Sequence, residues 1–389
     1  MKRVLLALVP VLLWSEPVSS LYEKIEKSEA YKSRSEAIEA DLQMKKSQLY
    51  TDGWRAGADV GYADVKEGSG SGTEYGITVG KDFVLGGSNI EKVMLENSQY
   101  AQMVKKIEKN RLAARIRELY GSYCITLQAQ NAKSDLGIIY DDIIRYIDKG
   151  VKFGEFDIGK SIMAHLALEN LNLQIAELDS ELKSYESKIK AIVPFDGKFE
   201  CSSMMPDFDK LFDPKYSALS SMLQKKVESA ADSMKVAKRR SPMVGVDAGY
   251  SDEIDTRRYM LSISLPLSYG SGNEAARAAA MHTYAAARNE LEAFRKEYAQ
   301  ESEALKTRLE NYKNHVTIME NSIKISADTL IEQSRMRFKA GEESLISMLK
   351  SAETKLQMTE TILDMKTKRH KAVSEYIYKY AIDPKGVTK

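Results

Sequence analysis

Two stretches of the chain, at about 54–85 and 243–268, alternate between apolar residues and small or polar ones. This period of two is typical of β-strands with one apolar face, and a polar turn in each stretch predicts two β-hairpins. The apolar positions are Trp54, Ala56, Ala58, Val60, Tyr62, Tyr75, Ile77, Val79, Val244, Val246, Ala248, Tyr250, Tyr259, Leu261, Ile263, Leu265 and Leu267. Long charged segments flank both hairpins, so no second sheet is available to cover these faces. Lipid can cover them, because a membrane strand needs roughly 9 to 11 residues with apolar side chains outward and polar ones inward.

The rest of the mature chain is predicted to be helical. Proline-free segments rich in Leu, Ile, Ala, Lys and Glu cover about 21–49, 88–149, 157–192, 215–240, 273–339 and 344–380. A helix of about 60 residues would reach roughly 90 Å. Strict three-four spacing predicts coiled-coil seams at Leu168, Leu171, Ile175, Leu178, Leu182, Tyr185, Ile189 and Ile192, and at Leu305, Leu309, Tyr312, Val316, Met319 and Ile323.

The order helix, hairpin, long helix, glycine turn, helix occurs twice. When the halves are superposed, Asn89 matches Asn273 and Gly154 matches Gly341, with an offset near 185 to 190 residues throughout. Such constant spacing indicates duplication. We therefore divide the chain into a first repeat at 21–192, an inter-repeat linker at 193–214, a second repeat at 215–381 and a C-terminal tail at 382–389.

Residues 1–20 differ from the rest and fit a secretory signal peptide. Lys2 and Arg3 supply the positive start, an apolar run extends from Val4 to Trp14, and small residues up to Ser20 offer a cleavage site. The apolar run is too short to span a bilayer as a helix of roughly 20 residues. The mature chain is therefore expected to be exported without a transmembrane helix.

Composition excludes several functions. The 389 residues carry a net charge of +1, which nominates no nucleic-acid partner. The four histidines lie on separate helices without ligand spacing, so we expect no metal site. We find no nucleophile-base pair, no phosphate-binding glycine loop and no clustered carboxylates, and we predict neither catalysis nor a cofactor.

The two cysteines, Cys124 and Cys201, cannot form a disulfide framework. Counted along the predicted helix pair, Cys124 and the start of the linker differ in height by more than about 10 Å. A disulfide needs Cα atoms within about 7 Å. We therefore predict free thiols, unless the linker folds back along the helices.

Four strands are too few to form a membrane barrel. Every backbone polar group in a bilayer must be paired, which requires a closed barrel, and the smallest bacterial single-chain barrels have 8 strands. Three copies would supply about 12 strands. The predicted fold is therefore mainly α with a small membrane β-barrel contribution: two repeats of long coiled-coil helices plus a hairpin, in a trimeric α/β barrel that continues as a helical tunnel.

Two short motifs resemble TolC-like outer-membrane efflux proteins. Leu265, Pro266 and Leu267, followed by Gly270 and Gly272, resemble that family's strand-to-helix junction. The run 337–344, RFKAGEES, resembles its helix-turn-helix tip. The resemblance implies a homotrimer in the outer membrane of a Gram-negative bacterium, with a long periplasmic part docked to a periplasmic adaptor and an inner-membrane pump. It implies no catalysis and no bound cofactor.

The resemblance also gives candidate site residues. The adaptor-docking candidates at the two turns are Lys152, Phe153, Gly154, Glu155, Arg337, Phe338, Gly341, Glu342 and Ser344. Where well-known members have an acidic gate, this chain has Ser347 and Lys350, so the gate candidates are these two with Glu155, Asp157, Glu342 and Glu343. Near the strand ends, the residues expected at the membrane interface are Trp54, Tyr62, Tyr75, Phe83, Tyr250 and Tyr259.

Two functions therefore stay open. The first is the outer-membrane channel of a tripartite efflux or secretion system that exports small molecules, metal ions or peptides. The alternative is a trimeric coiled-coil structural protein or adhesin whose barrel is only an anchor and does not conduct. The duplication favours the channel, because a spacer has no need for each half to descend and return. The sequence does not indicate which substrate is exported.

Overall fold

A computed structural model describes residues 15–49, 54–64, 71–84, 87–201, 207–238, 243–253, 256–264 and 272–387. Helices dominate these ranges. In chain order they are α1 Val18–Lys24, α2 Glu29–Leu49, α3 Gly87–Lys152, α4 Ile158–Ile192, α5 Phe208–Leu211, α6 Ala218–Lys238, α7 Gly272–Ile318, α8 Ile325–Lys339, α9 Leu345–Lys379 and α10 Pro384–Val387. Two short 3₁₀ helices, Ile25–Lys27 and Pro214–Tyr216, lie between them. None of the described helices has a stretch long and apolar enough to cross a membrane.

Within the described ranges, six strands form two sheets. They are β1 Ser15–Glu16, β2 Trp54–Asp64, β3 Ser71–Val84, β4 Lys198–Phe199, β5 Met243–Asp252 and β6 Arg257–Ser264. β1 and β4 make a short parallel pair. The two predicted hairpins join through β3 and β5 into one antiparallel sheet of order β2-β3-β5-β6. The junction motif around Pro266 lies outside the described residues.

The chain divides into two compact units. The sheet unit comprises 34–106 and 219–295, and the helical unit comprises 1–33, 107–218 and 296–389. In the sheet unit, helices α3 and α6 are linked by the ion pair of Lys92 with Asp232 at 2.7 Å, and α6 and α7 by that of Lys226 with Glu290 at 2.6 Å.

The predicted seams contribute to the core of the helical unit. On α4, Leu171, Leu182 and Ile189 are buried, and the remaining seam positions are half-buried. On α7, Leu305, Leu309 and Val316 are buried. The three-four spacing therefore identified the core-facing side of both helices.

The predicted helix at 273–339 is not one uninterrupted α-helix. A π-helical segment, Met319–Lys324, separates α7 from α8. A π-turn holds one residue more than an α-turn, so it shifts the helix face that points to the core. The spacing of apolar residues did not predict this interruption, because the predicted seam keeps its three-four spacing through Met319 and Ile323.

Cys124 and Cys201 form a disulfide, so they are not free thiols, and the exception stated for a linker that folds back along the helices applies. Their Cα atoms are 5.5 Å apart. After α4 ends, the chain folds back along α3: Phe199 packs edge-to-face against Tyr120 and Tyr123, with ring centroids 5.4 and 4.8 Å apart. Residues 193–201 of the linker thus run back along α3 and bring Cys201 beside Cys124.

The linker at 193–214 is also more ordered than its irregular sequence suggested. It contains β4, α5 and the start of the second 3₁₀ helix, and Val193, Phe195 and Leu211 are buried. Residues 202–206 of this linker lie outside the described residues.

Residues at the end of the expected signal peptide take part in the fold. Positions 1–14 lie outside the described residues, whereas β1 and the start of α1 fall within 15–20. Val18 is only 6% exposed. The expected boundary at Ser20 therefore lies within a packed element, α1.

Candidate functional site: the sheet and the helical turns

One face of the four-stranded sheet is apolar and exposed. The register places Ala56 opposite Val79, and Ala248 opposite both Val79 and Leu261, so the predicted apolar sets of both hairpins share this face. Leu261 is 75% exposed and Val60 is 76% exposed. Soluble monomers rarely expose a continuous apolar patch of this kind, so the face needs a cover.

Aromatic residues border this apolar face at both ends. Trp54 and Phe83 lie at one end, and Lys81 between them places its ammonium 5.3 and 5.4 Å from the two ring centroids. The other end carries Tyr62, Tyr75, Tyr250 and Tyr259. Trp54 and Tyr62 stand at opposite ends of β2, roughly 26 Å apart along the strand.

The tyrosines form a diagonal row across the strands. Through the ladder, Tyr259 is in line with Tyr250, Ile77 and Ala58, four residues before Tyr62 on β2. From Tyr259 to Tyr62 the row thus moves roughly 13 Å along the strand direction. Over the same span it crosses three inter-strand spacings, which total roughly 14 Å. That slope of about 40° is what a level belt requires on strands tilted by about 35–45°, as in membrane barrels.

The opposite face of the sheet presents polar side chains and glycines. It carries Arg55, whose guanidinium pairs with Asp247 across the hairpins at 3.1 Å. Glycines leave room for the carboxylates of Asp247 and Asp59. A Cβ on Gly80 would lie 1.8 Å from an oxygen of Asp247, and a Cβ on Gly76 would lie 2.5 Å from an oxygen of Asp59. The sheet therefore has one apolar face, suited to contact with lipid, and one polar face, suited to contact with water.

The first helical turn joins α3 to α4. Gly154 adopts φ +74°, a left-handed conformation that favours glycine, and its amide donates to the carbonyl of Val151. The next amide, of Glu155, donates to the carbonyl of Gly150. Lys152 ends α3, and the ring of Phe153 projects outward, 80% exposed.

The second turn joins α8 to α9 and has the same hydrogen bonds. Gly341 adopts φ +77° and donates to the carbonyl of Phe338, and the Glu342 amide donates to the carbonyl of Arg337. The Ser344 hydroxyl accepts from the Ser347 amide and caps α9. The two turns differ in their phenylalanines, because Phe338 is only 3% exposed and therefore lies beneath its turn.

Contacts between the helices hold the two turns together. The rings of Phe338 and Phe156 stack with centroids 6.2 Å apart, and the Tyr146 hydroxyl donates to the Lys339 carbonyl at 2.8 Å. Asp142 accepts from Lys339 at 2.6 Å and from Arg335 at 3.2 Å. These hydrogen bonds hold the pKa of Asp142 below its usual value, so the carboxylate stays ionised.

The six gate candidates do not form one cluster of free charges. Glu343 is half-buried and accepts from the hydroxyls of Ser334 and Ser347, both at 2.6 Å, which lowers its pKa. The remaining candidates are exposed around the turns: Glu155, Asp157, Glu342, Ser347 and Lys350. Glu343 therefore has a structural role in starting α9.

One surface was not identified from the sequence. On α4, on the face away from the seam, Ile158, Ile162, Leu166 and Leu173 are all more than half exposed. Their spacing of four, four and seven residues places them on one side of the helix. The sequence contains this spacing, but the prediction for α4 covered only the longer seam on its other face. We call these four residues the α4 outer stripe.

Among the described residues, no group of three or more His, Cys, Asp or Glu side chains is placed to hold a metal ion. A surface cavity of about 310 Å³ lies between α7 and α9 in the helical unit, and Tyr376 and the charged Glu301 and Lys379 are among its lining residues.

Comparison with known proteins identifies the fold. No family model matches the chain, and no curated protein matches it by sequence. Among solved structures, VceC, an outer membrane protein of Vibrio cholerae, is 12% identical with a TM-score of 0.72 over 94% of this chain and 95% of its own. The CmeC outer membrane channel of Campylobacter jejuni is 13% identical, with a TM-score of 0.66 over 94% and 86%.

A third structure, the open state of the MtrE outer membrane channel of Neisseria gonorrhoeae, is 12% identical, with a TM-score of 0.69 over 96% of this chain and 90% of its own. The fold of this chain is thus that of outer-membrane channel proteins. The comparison confirms, at the level of the fold, the resemblance to TolC-like proteins that the sequence motifs carried.

Proposed function

We propose that this chain is the outer-membrane channel of a tripartite efflux or secretion system. In this proposal three copies close one barrel in the outer membrane of a Gram-negative bacterium and continue as a tunnel in the periplasm. Small molecules, metal ions or peptides pass through it. The observation that carries the proposal is the exposed apolar face of the sheet, bordered at both ends by aromatic residues.

The size of that face supports a membrane location. At a strand tilt of about 40°, the roughly 26 Å between Trp54 and Tyr62 along β2 corresponds to a height of about 20 Å, close to the apolar band of about 25 Å on outer-membrane barrels. Interfacial aromatic residues are the usual borders of such a band. Outer-membrane lipid is therefore the proposed cover of this face.

The sheet edges support association of identical chains. β2 and β6 are the outer strands of the described sheet. An unpaired edge is costly in a bilayer, and pairing β2 of one copy with β6 of the next is a head-to-tail contact that closes a ring. Three copies bring the count to about 12 strands, above the minimum of 8 seen in bacterial barrels.

Two features of the helical unit also fit a ring of copies. The α4 outer stripe exposes four large apolar side chains that a neighbouring copy would cover. The stretch of α3 from 107 to 152 alone is long enough for a tunnel wall of roughly 70 Å. We propose that these helices form the periplasmic wall.

The two turns support the proposed duplication of 21–192 and 215–381. Gly154 and Gly341 share the left-handed conformation, the same hydrogen bonds and an offset of 187, and α4 and α9 begin at the same offset, at Ile158 and Leu345. A repeated pair of turns gives each copy two docking points. We propose that the periplasmic adaptor binds there and connects the channel to the inner-membrane pump.

Single-channel recording in planar bilayers tests the channel. We expect stepwise ion conductance from the detergent-purified trimer. A trimer that inserts but never conducts, even after the turn contacts of Asp142 are removed by Asp142→Asn, would instead support the non-conducting spacer or adhesin.

Adaptor docking is tested in a deletion strain complemented with variants. Phe153 projects from the first turn, so Phe153→Ser is expected to lose the drug or metal tolerance that the wild-type chain restores. Ile318→Ser alters an equally apolar, exposed residue on α7 and should retain tolerance. Equal tolerance with both variants, at equal amounts of protein in the outer membrane, would argue against docking through Phe153.

A further inference from the structure

The N-terminal residues of the described chain are built into the core of the helical unit. Val18, Leu21 and Tyr22 are buried in one cluster with Ile116, Phe195 and other residues of α3 and the folded-back linker. Their exposed fractions are 6%, 0% and 5%. Helix α1 therefore contributes side chains to the core from its first residue, Val18.

The backbone before Val18 is also engaged. Glu16 pairs with Phe199 in the parallel β1–β4 ladder, two residues before the disulfide at Cys201. Pro17 precedes α1, and its carbonyl accepts hydrogen bonds from both the amide and the hydroxyl of Ser20, at 3.1 and 2.9 Å. These contacts define where α1 begins.

Cleavage after Ser20, the site favoured by sequence alone, would damage this structure. It would remove β1, Val18 and the contacts of Pro17, and leave only the four residues from Leu21 to Lys24 of α1. It would also place a new ammonium group on Leu21, whose side chain is fully buried. Burying a charge without a partner is strongly unfavourable, so a mature chain beginning at Leu21 conflicts with the fold.

We propose that the leader is removed after Ser15, so that the mature chain begins at Glu16. A leader peptidase requires a small residue at the end of the leader, after the apolar run. That run ends at Trp14. Three residues, Ser15, Glu16 and Pro17, lie between it and Val18, and only Ser15 is small. Water hydrolyses the Ser15–Glu16 amide, which leaves a carboxylate on the leader and an ammonium group on Glu16.

This site rests on the proposed function, since it requires export of the chain. It assigns residues 16–20 to the mature protein. Of the β1–β4 ladder, the pairing of Glu16 with Phe199 remains after Ser15 is removed, and it ties the new N-terminus to the segment that carries Cys201. N-terminal processing and disulfide formation would then take place on the same side of the inner membrane.

N-terminal sequencing and intact-mass measurement of the full chain, expressed with its own leader and purified from the outer membrane, test the site. The expected first residue is Glu16. A mature chain that begins at Leu21, or anywhere after Val18, would overturn the proposal while leaving the channel function intact. A chain that keeps Met1 and stays in the cytoplasm would contradict both the site and the proposed function.

A matched pair of variants adds a test that does not depend on folding. Ser15→Leu removes the small residue at the proposed site, and the uncleaved precursor should accumulate at least tenfold over wild type. Ser20→Leu makes the same change five residues later and should be processed like wild type. The reverse result would assign cleavage to Ser20.

Discussion

His370 is a partly buried titratable residue that links α9 to α3. Its Nε2 lies 3.2 Å from the carbonyl of Glu118, and Gly121 leaves space for the ring, since a Cβ there would be 2.1 Å from it. Burial, and then the neighbouring charges of Arg117 and Arg369, lower the pKa of His370 to about 4. The imidazole is therefore neutral at pH 7.

Acid should destabilise the helical unit through this residue. The pKa of His370 is lowered in the folded state, so its stabilising contribution is complete above pH 6.5 and is lost as the pH falls towards 4. Between pH 7 and pH 5 the loss is about 2 kcal/mol per chain. Thermal unfolding at the two pH values checks this, and His370→Phe should flatten the dependence. The exposed His282 serves as control: if His282→Gln flattened it instead, His370 would not be responsible.

Glycine has different roles at different positions, and alanine substitution should distinguish them. Gly341→Ala places a Cβ in the left-handed region and should lower the free energy of unfolding by about 1 to 2 kcal/mol, although the surrounding space is open. Gly137→Ala, inside α3, would make an ordinary contact with Leu171 at 3.8 Å and should stabilise the helix by about 0.5 to 1 kcal/mol. Chemical denaturation measures both, and equal signs would contradict the assignment of the turn.

At the scale of elements, the disulfide closes the first helical hairpin. Cys124 lies on α3 and Cys201 follows α4, so the bond encloses the whole of α4 and the first turn, a sequence separation of 77. Within the described residues no second disulfide closes the hairpin of α8 and α9. The two helical hairpins are therefore stabilised differently.

Reduction should destabilise the first hairpin selectively. Closing a loop of this length removes about 4 kcal/mol of unfolded-chain entropy. We expect dithiothreitol to lower the melting temperature of the wild-type protein and to expose residues 193–201 to protease. The Cys124→Ser and Cys201→Ser double variant should have the melting temperature of the reduced protein, and reductant should not change it. A wild-type melting temperature that reductant does not change would show that the bond does not contribute to stability.

The α4 outer stripe should control association of the copies. Leu166→Glu would place a charge on a surface that a neighbouring copy is proposed to bury, whereas Leu166→Met keeps it apolar. Light scattering in detergent should therefore find mostly dissociated chains for Leu166→Glu and intact trimers for Leu166→Met. Trimers of equal stability for both variants would mean that this stripe is not an interface.

Local patterns predicted local structure well. Alternation from Trp54 to Tyr62 and from Tyr259 to Ile263 assigned each side chain to the correct face, because strand geometry leaves only two choices. The pairing of β3 with β5 was not predicted, since nothing in either strand specifies its partner. The disulfide was missed for a related reason: the path of the linker depends on aromatic packing around Phe199, which no short-range pattern reveals.

The candidate site was predicted in part. Sequence spacing predicted the turn glycines, but it did not predict which side chains beside the turns are exposed. Phe153 is exposed and Phe338 is buried, although both flank a turn. Helix phase alone cannot tell which side of a turn faces the neighbouring hairpin. The conflict between the expected leader boundary at Ser20 and the fold could not be predicted for the same reason, because the burial of Val18 depends on distant parts of the chain.

At the scale of the whole molecule, all proposals depend on one claim. The described sheet has four strands, too few to enclose a pore, and we propose that the barrel belongs to an assembly of identical chains in the membrane. Its apolar face, aromatic borders and open edges are each explained by that assembly, and none of them is explained by a single chain in water.

Native mass spectrometry of the mature protein extracted from membranes in detergent tests this claim most directly. The account predicts one dominant species with the mass of three chains, which persists until the detergent is removed. A protein that is released in buffer without detergent and has the mass of a single chain would contradict it.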